Sequence, residues 1–295
     1  MTSQYESILQ SGERIRAHRI AKGLSPEDVA SKTGLSRSAI YRYEAGQPIR
    51  VDALGKIADL LGISIASLFG VGSEFISSAV SFYERVCQLE ANADQITVLF
   101  GPIAFLLTTK NFDIYLRAVL TESVPESASN RQNFNAEIDQ ILDLLERRKT
   151  VYHKRRPNII SLVSAAELEQ FLDLGMVGRR GIEEPELSKR KAAAFVEVEN
   201  LLKLLTDQPM GVQIGVVEDS LPGASFQMLR NGNFTQVAIS PFRLGLYANV
   251  RVGVATVTSA QESVQLHQQV TSDLWRNSKK GDHAIKIVEG ILNQY

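Results

Sequence analysis

The spacing of hydrophobic residues divides the chain into two parts with different patterns. Up to about residue 70, apolar residues recur at helical spacing in short segments, each ended by a single glycine. These glycines are Gly23, Gly34, Gly46 and Gly62. From about Ser73 onward the segments are longer, and β-branched residues form alternating runs typical of strands. The pattern predicts a short helical domain followed by a larger α/β domain.

Within the larger part, helices and strands are expected to alternate. The predicted strands lie at 95–100, 158–163, 211–217, 225–229, 235–239 and 250–258. The predicted helices lie at about 74–90, 131–150, 165–174, 186–206, 260–278 and 281–293. A short glycine-containing hinge is expected at 70–72, so the predicted domains are residues 1–70 and 71–295. The predicted fold class is an all-α five-helix helix-turn-helix head (from about residue 8 to 70), followed by a mixed α/β C-terminal domain. The fifth helix of the head is a short turn at 64–68.

Two short helices in the first part are separated by a tight glycine turn. Ser25 is a preferred N-cap residue, and Pro26 suits the first turn of the helix that follows. Gly34 ends that helix, and Ser36 can cap a second one over 37–44. This arrangement is a helix-turn-helix, whose second helix can enter the major groove of DNA.

The second of these helices has an apolar face and a polar face. Ile40 and Tyr43 are expected to point into the core, with Ala39 packing partly. The polar face and its N-cap comprise Ser36, Arg37, Ser38, Tyr41 and Arg42. Arginine forms bidentate hydrogen bonds with guanine or pairs with phosphate, and the hydroxyls of serine and tyrosine can hydrogen-bond to either. We therefore interpret these five residues as the DNA-binding set.

Local charge agrees with this interpretation, although the charge of the whole chain does not. The formal net charge of the chain is −1, which by itself favours neither nucleic acid nor a membrane as partner. Residues 11–50, however, hold eight basic and four acidic side chains, a local charge of +4. A DNA-binding function is therefore expected to be confined to this segment.

The segment IRAHRIAKGLSPEDVASKTGLSRSAIYRYEAGQPIRVDALGKIADLLGISIASLF resembles the XRE-type helix-turn-helix of lambdoid phage repressors and many bacterial regulators. The resemblance is contiguous and includes KGLS, TGLS and YEAG. It implies that Arg37, Ser38, Tyr41 and Arg42 lie at positions that read bases and phosphates. It also implies that Arg19 and Glu44 form a buried ion pair joining the first helix to the recognition helix. Pro26 stands where many members have a glutamine that contacts DNA, a contact proline cannot make.

The rest of the chain shows few signs of catalytic chemistry. The four histidines are scattered along the chain, so we expect no metal site. Because the sequence contains neither a phosphate-binding glycine loop nor a nucleophile motif, we expect that the protein uses no cofactor and is not an enzyme. Cys87 is the only cysteine, which suits a reducing cytoplasm. The chain lacks an apolar run of membrane-spanning length, and no signal peptide is apparent at its start. An Ala-Gly or Cys-Gly cleavage site is missing from the expected linker, so autoproteolysis is not expected.

Two clusters of cations in the larger domain are candidates for a second DNA contact or for an anionic effector. The first is the run from Arg147 to Arg156, which holds six Lys or Arg side chains within ten residues and includes Arg155. We expect this run to form the strongest positive field of the chain. The second is the loop containing Arg179 and Arg180 between two glycines. Cations at a helix end or in a glycine loop are also common as solvated residues.

Together these features indicate a cytoplasmic one-component transcription regulator of the XRE type. It is expected to bind double-stranded DNA as a homodimer at a near-palindromic operator, because one head reads only a few base pairs. The larger domain would supply dimerisation, a response to a small-molecule effector, or both. A DNA-tethered enzyme and an antitoxin-like protein-interaction module are the alternatives.

Overall fold

The computed structural model describes residues 2–63, 65, 68, 73–125, 131–218, 221, 223 and 225–295. For residues 2–10 and for 131 and 132 it describes only the helical backbone. The predicted domain boundary at 70–72 and most of the short helix predicted at 64–68 lie outside the described residues. No helix in the described ranges is both long and apolar enough to cross a lipid bilayer.

Helices form the N-terminal head over its continuously described residues, 2–63. They are α1 (Thr2–Ala21), α2 (Pro26–Thr33), α3 (Arg37–Glu44) and α4 (Val51–Leu61). Their apolar faces meet in a separate hydrophobic core that includes Ile15, Val29, Ile40, Leu54 and Ile57. Because these residues recur at helical spacing, the short segments seen in the sequence can bury one face each. The helical head predicted from the sequence is confirmed.

The remainder of the described chain is an α/β region built on one seven-stranded sheet. The strands are β1 (Ser73–Ile76), β2 (Gln95–Leu99), β3 (Asn158–Ser164), β4 (Val212–Val217), β5 (Phe226–Asn231), β6 (Phe234–Ile239) and β7 (Ala255–Thr258). The helices are α5 (Ala79–Glu90), α6 (Lys110–Glu122), α7 (Arg131–Arg155), α8 (Ala165–Leu174), α9 (Glu186–Asp207), α10 (Gln261–Asn277) and α11 (Asp282–Leu292). A 3₁₀ turn lies at Phe105–Leu107. The predicted mixed α/β class is confirmed.

The sheet changes from parallel to antiparallel strand pairing at β2. Its strand order is β1-β7-β6-β5-β2-β3-β4. The β2–β3 and β3–β4 pairs are parallel, whereas β2 pairs with β5 in the antiparallel direction, as do the remaining neighbours. Helices α6 and α7 cross from β2 to β3, and α8 and α9 cross from β3 to β4, as parallel strands require.

The two faces of the sheet are covered unequally. One face carries Ile96, Val98, Ile159 and Leu229 and belongs to the large core with α5 and other helices. The opposite face carries Leu162, Phe226, Met228 and Val237, and α10 packs against it through side chains such as Trp275. Alternation of side chains along each strand places successive residues in these two cores.

Some sequence predictions about the larger domain were wrong in detail. The helix predicted over 74–90 begins only at Ala79, because Ser73–Ile76 is an edge strand paired with β7. The strand predicted over 250–258 is restricted to Ala255–Thr258. Helix α6 was not predicted at all.

A buried charge cluster joins the head to the α/β region. Glu74 on β1 accepts hydrogen bonds from Arg14 of α1 (2.5 Å) and from Arg85 of α5 (3.0 and 3.1 Å). All three side chains are at most 3% exposed. Glu13 of α1 lies 3.6 Å from Arg85, and its backbone oxygen accepts a hydrogen bond from Gln88. Helices α1 and α5 therefore pack together through paired charges.

Candidate nucleic-acid interface

Helix α2 begins with a reciprocal capping arrangement. The Ser25 hydroxyl accepts a hydrogen bond from the backbone N–H of Asp28 (3.1 Å), and the Asp28 carboxylate accepts one from the backbone N–H of Ser25 (2.8 Å). Pro26 occupies the first turn, where the lack of an N–H costs nothing. Gly34 ends the helix in the left-handed region with φ 69°, a conformation that glycine adopts without a steric penalty. These features define where α2 begins and where it ends before the turn into α3.

Helix α3 has the buried and exposed faces that its sequence predicts. The Ser36 hydroxyl caps it by accepting from the backbone N–H of Ala39 (3.2 Å). Ala39, Ile40 and Tyr43 are buried in the head core. The exposed residues are the predicted DNA-binding set, Ser36, Arg37, Ser38, Tyr41 and Arg42. The structure therefore leaves all five side chains accessible, and their contact with DNA stays a prediction.

Arg37 is held in place by neighbours on two helices. Its guanidinium forms an ion pair with Glu27 of α2 and a hydrogen bond with the Tyr41 hydroxyl (3.4 Å). It also lies over the Tyr41 ring, 5.5 Å from the centroid. The hydrogen bond to Tyr41 and the charge of Glu27 raise the pKa of Arg37 above its ordinary value. The side chain thus remains cationic and is partly pre-oriented at the start of α3.

Arg19 and Glu44 form the ion pair that the family resemblance implies. Arg19 donates to both carboxylate oxygens of Glu44, at 2.5 and 2.8 Å, and also to the backbone oxygen of Leu24. The two side chains are only 10% and 9% exposed. The pair joins α1 to the end of α3 and leaves neither group available to DNA.

We expect Glu44→Ala to lower the free energy of unfolding by about 3 kcal/mol, because Arg19 would keep a buried charge without its partner. Urea denaturation of the full chain measures this. Glu27→Ala is the matched control, since it removes a carboxylate from an exposed pair whose side chains are 65% and 43% accessible. That change should cost less than about 1 kcal/mol. Equal stability of the two variants would contradict a structural role for the Arg19–Glu44 pair.

Gly12 is a positioning residue that the sequence analysis missed. A Cβ atom at Gly12 would lie 2.3 Å from the backbone oxygen of Tyr43 and 3.0 Å from that of Glu44. Glycine therefore allows α1 to approach the C-terminal end of α3 closely. Nothing in the local sequence pattern reports this, because the contact joins segments about 30 residues apart.

We expect Gly12→Ala to destabilise the head by about 1–3 kcal/mol, since backbone atoms must move to admit the methyl group. The same substitution at Gly55, in the middle of α4 with open space around it, should stabilise by about 0.5–1 kcal/mol through helix propensity. Thermal unfolding compares the two variants. A gain in stability for Gly12→Ala would show that α1 and α3 are not in close contact.

The positive charge of the head is smaller at its surface than the sequence count indicates. Arg14 and Arg19 are buried and paired with Glu74 and Glu44. The exposed basic residues of this segment are Arg16, Lys22, Lys32, Arg37, Arg42 and Arg50. The charge available to DNA is therefore concentrated on fewer side chains, two of which belong to α3.

Three of the six cations between Arg147 and Arg156 are paired with carboxylates of other helices, and the strong positive field expected of this run stays a prediction. Arg147 pairs with Glu84, Arg148 with Glu90 and Lys149 with Asp113. Charge counting along the sequence could not reveal these partners, because they lie on other helices.

The remaining candidate cations lie on the surface in two separate segments. Arg155 and Arg156 are exposed at the end of α7, and Arg179 and Arg180 are exposed in the loop between α8 and α9. None of the four forms an ion pair with a described carboxylate. The loop is anchored at Gly178, whose N–H donates to Glu122 (3.0 Å).

Replacing both Arg155 and Arg156 with alanine tests a DNA contact from the larger domain. We expect the slope of the logarithm of the DNA-binding constant against the logarithm of the salt concentration to stay unchanged. The reason is that cations at a helix C-terminus already interact favourably with the helix dipole. Fluorescence anisotropy at several salt concentrations measures the slope. For a dimer on one duplex, a slope shallower by about 4 would instead assign a phosphate contact to each of the two residues in both protomers.

The structure gives no geometry for a metal centre in its described part. Within those ranges, no group of three His, Cys, Asp or Glu side chains could hold a metal ion. Cys87 is buried, and burial raises the pKa of its thiol despite a hydrogen bond from Arg147.

Comparisons with known proteins agree with the geometry of the head. A family model described as helix-turn-helix matches residues 15–68, which confirms the helix-turn-helix predicted from the sequence. Among solved structures, the chain is similar to TrmBL2, an archaeal chromatin protein described as showing a novel mode of DNA binding. The identity is 11% and the TM-score 0.29, over 90% of this chain and 92% of that one. A TM-score this low does not establish a common fold. No curated protein matches the chain.

Proposed function

Taking residues 15–68 as a helix-turn-helix domain, we propose that this protein is a sequence-specific DNA-binding regulator of transcription. In this proposal it acts in the cytoplasm, and it acts by binding DNA rather than by catalysing a reaction. The observation that carries the proposal is the polar face of α3. Its five hydrogen-bonding side chains are exposed while its apolar face is fixed in the head core. A helix of this kind fits the major groove, where arginine and hydroxyl groups distinguish base pairs.

In this proposal two copies bind a near-palindromic operator. Eight residues of α3 span about 12 Å, so one head reaches only a few base pairs. A two-fold pair of heads doubles the contacts and fixes the half-site spacing at about one helical turn or a multiple of it. The larger domain supplies dimerisation and a response to a small molecule. The ion pairs between α1 and α5 support this, because they give the larger domain a direct contact with the head.

The experiment compares an inverted-repeat duplex, obtained by selection, with a duplex in which one half-site is scrambled. We expect two protomers per intact duplex by sedimentation, and at least about tenfold weaker binding after scrambling. One protomer per intact duplex, or equal affinity for both duplexes, would refute dimeric recognition.

A further inference from the structure

A cavity that is partly open to solvent lies where the sheet changes from parallel to antiparallel. It has a volume of about 60 Å³ and lies at the carboxyl end of β2, next to the start of β5 and the segment after β6. In sheets of this type, ligands bind outside the carboxyl ends of strands at the point where the strand order switches. The position of the cavity in the fold is therefore that of a ligand site.

Aromatic side chains make up about a third of the residues that line the cavity. Six rings line it, those of Phe82, Tyr83, Phe100, Phe105, Phe112 and Phe242. The Tyr83 and Phe105 rings already have cationic groups of Arg148 or Lys149 over their faces. The other four rings present apolar surface that suits another ring, stacked or edge-on. A planar apolar molecule is the class of ligand that such a wall binds best.

Two buried polar groups also face the cavity. Tyr83 and Gln227 line it and are each only 4% exposed. Within the described ranges, neither the Tyr83 hydroxyl nor the Gln227 side-chain amide has a hydrogen-bond partner. Every fully enclosed side-chain nitrogen or oxygen there does have one, so the polar atoms of these two side chains are not fully enclosed, and both residues line the cavity. Buried polar groups of this kind favour a ligand that supplies the missing hydrogen bond.

Of the two arginines at the wall, one is paired with a carboxylate and the other is exposed to solvent. Arg148 donates to both carboxylate oxygens of Glu90, at 2.7 and 2.8 Å. Arg243 is exposed, and its charge acts on the carboxylate of Glu167. Neither arginine therefore requires an anionic ligand, and an uncharged one avoids the cost of burying an extra charge.

Helix α5 connects this cavity to the head. Phe82, Tyr83 and Val86 line the cavity from α5. Arg85 and Gln88 of the same helix contact Glu13 of α1. One helix thus touches the cavity with one face and the DNA-binding domain with another.

The size of the cavity makes movement of its wall necessary. A cavity that holds benzene measures about 150 Å³, more than twice the volume found here. A ring can be enclosed there only if part of the wall moves outward, and α5 contributes three of the lining residues. Displacement of α5 would move α1, because the two helices are joined by buried charges.

From these observations we propose that the cavity binds a small uncharged aromatic molecule carrying one hydrogen-bonding group, and that its occupancy changes the DNA affinity of the head through α5. The change in DNA affinity rests on the proposed DNA-binding function.

The first test uses phenol as the probe, with benzene as a probe lacking the hydrogen-bonding group. NMR titration of the full chain, labelled at methyl groups, should show saturable shifts at Val86 and Val98, which line the cavity. Gln227→Leu should weaken phenol binding about tenfold and leave benzene binding unchanged. Tyr83→Phe provides the same comparison if Gln227→Leu does not fold. Absence of saturable shifts at these methyl groups, or unchanged phenol affinity in the folded variant, would overturn the site.

The second test measures DNA binding with and without saturating phenol. The dissociation constant of the wild-type protein for its selected duplex should change about fivefold or more, and Gln227→Leu should need about tenfold more phenol to reach the same change. An unchanged constant in the wild-type protein would overturn the coupling through α5. Failure to bind any duplex selectively would refute the proposed function instead, and the NMR result would still decide the cavity.

Discussion

Glu74→Ala is expected to destabilise the protein by about 3–5 kcal/mol, because two buried arginines would lose their shared carboxylate. Arg14 and Arg85 are 2% and 1% exposed, so water cannot replace the missing partner. The Glu74 carboxylate is also the group that joins β1 to α1 and α5. Its loss should therefore both lower the overall stability and loosen the head from the larger domain.

Urea denaturation of the full chain measures this effect, and Asp273→Ala is the matched control. Asp273 pairs with Arg276 on the surface of α10, where the side chains are 52% and 76% exposed, so its removal should cost less than about 1 kcal/mol. Glu74→Gln should fall between the two, since it keeps hydrogen-bond acceptors but loses the charge. A loss below 1 kcal/mol for Glu74→Ala would contradict the buried cluster.

The pH dependence of stability follows from the same cluster. Burial opposes ionisation of Glu74, but the guanidinium groups of Arg85 and Arg14 outweigh it and hold the pKa of Glu74 below its ordinary value. The folded state therefore binds this proton less readily than the unfolded state. The stabilisation is complete at neutral pH, above the unfolded pKa, and is lost as the pH falls through the lowered folded pKa.

Replacing both Arg37 and Arg42 with alanine is expected to weaken binding to the selected duplex by at least about 100-fold. A good arginine–base contact contributes about 1–3 kcal/mol of discrimination, and the two arginines are repeated in both heads of a dimer. Binding to random duplexes should fall much less, because other exposed cations of the head contact phosphates without reading sequence. Fluorescence anisotropy with both duplexes measures the two losses.

The charge-matched control is the double substitution Arg276→Ala and Lys286→Ala. Both residues are exposed, on α10 and α11, so the same charge is removed away from α3. We expect this control to keep nearly full affinity. Equal losses for the selected and the random duplex in the Arg37 and Arg42 variant would show that these side chains contact phosphate and do not read bases.

Local signals in the sequence were sufficient for helices α2 and α3 of the head. The cap at Ser25, the turn at Gly34 and the apolar positions of α3 act within a few residues of one another. Their structure could therefore be predicted without knowing the rest of the chain. The exposed face of α3 followed from the same pattern, because fixing Ile40 and Tyr43 in the core determines which side chains face outward.

The missed features depend on partners distant in sequence. Strand β1 is only four residues long, and Glu74 is opposite Val257 on β7, so no local pattern separates it from the helix that follows. Arg148 appears as a surface cation until Glu90 is placed beside it. The cavity is likewise formed by several segments, including α5 and the start of β5, and no single motif contains it.

The most direct test of the DNA-binding proposal is selection from a random-sequence duplex library by the full-length protein at about 150 mM salt, where non-specific phosphate binding is weakened. The Arg37 and Arg42 double variant is selected in parallel. The proposal predicts that the wild-type protein enriches a motif with inverted-repeat symmetry and that the variant does not. Failure of the wild-type protein to enrich any motif, or the same motif from both proteins, would contradict sequence recognition by α3.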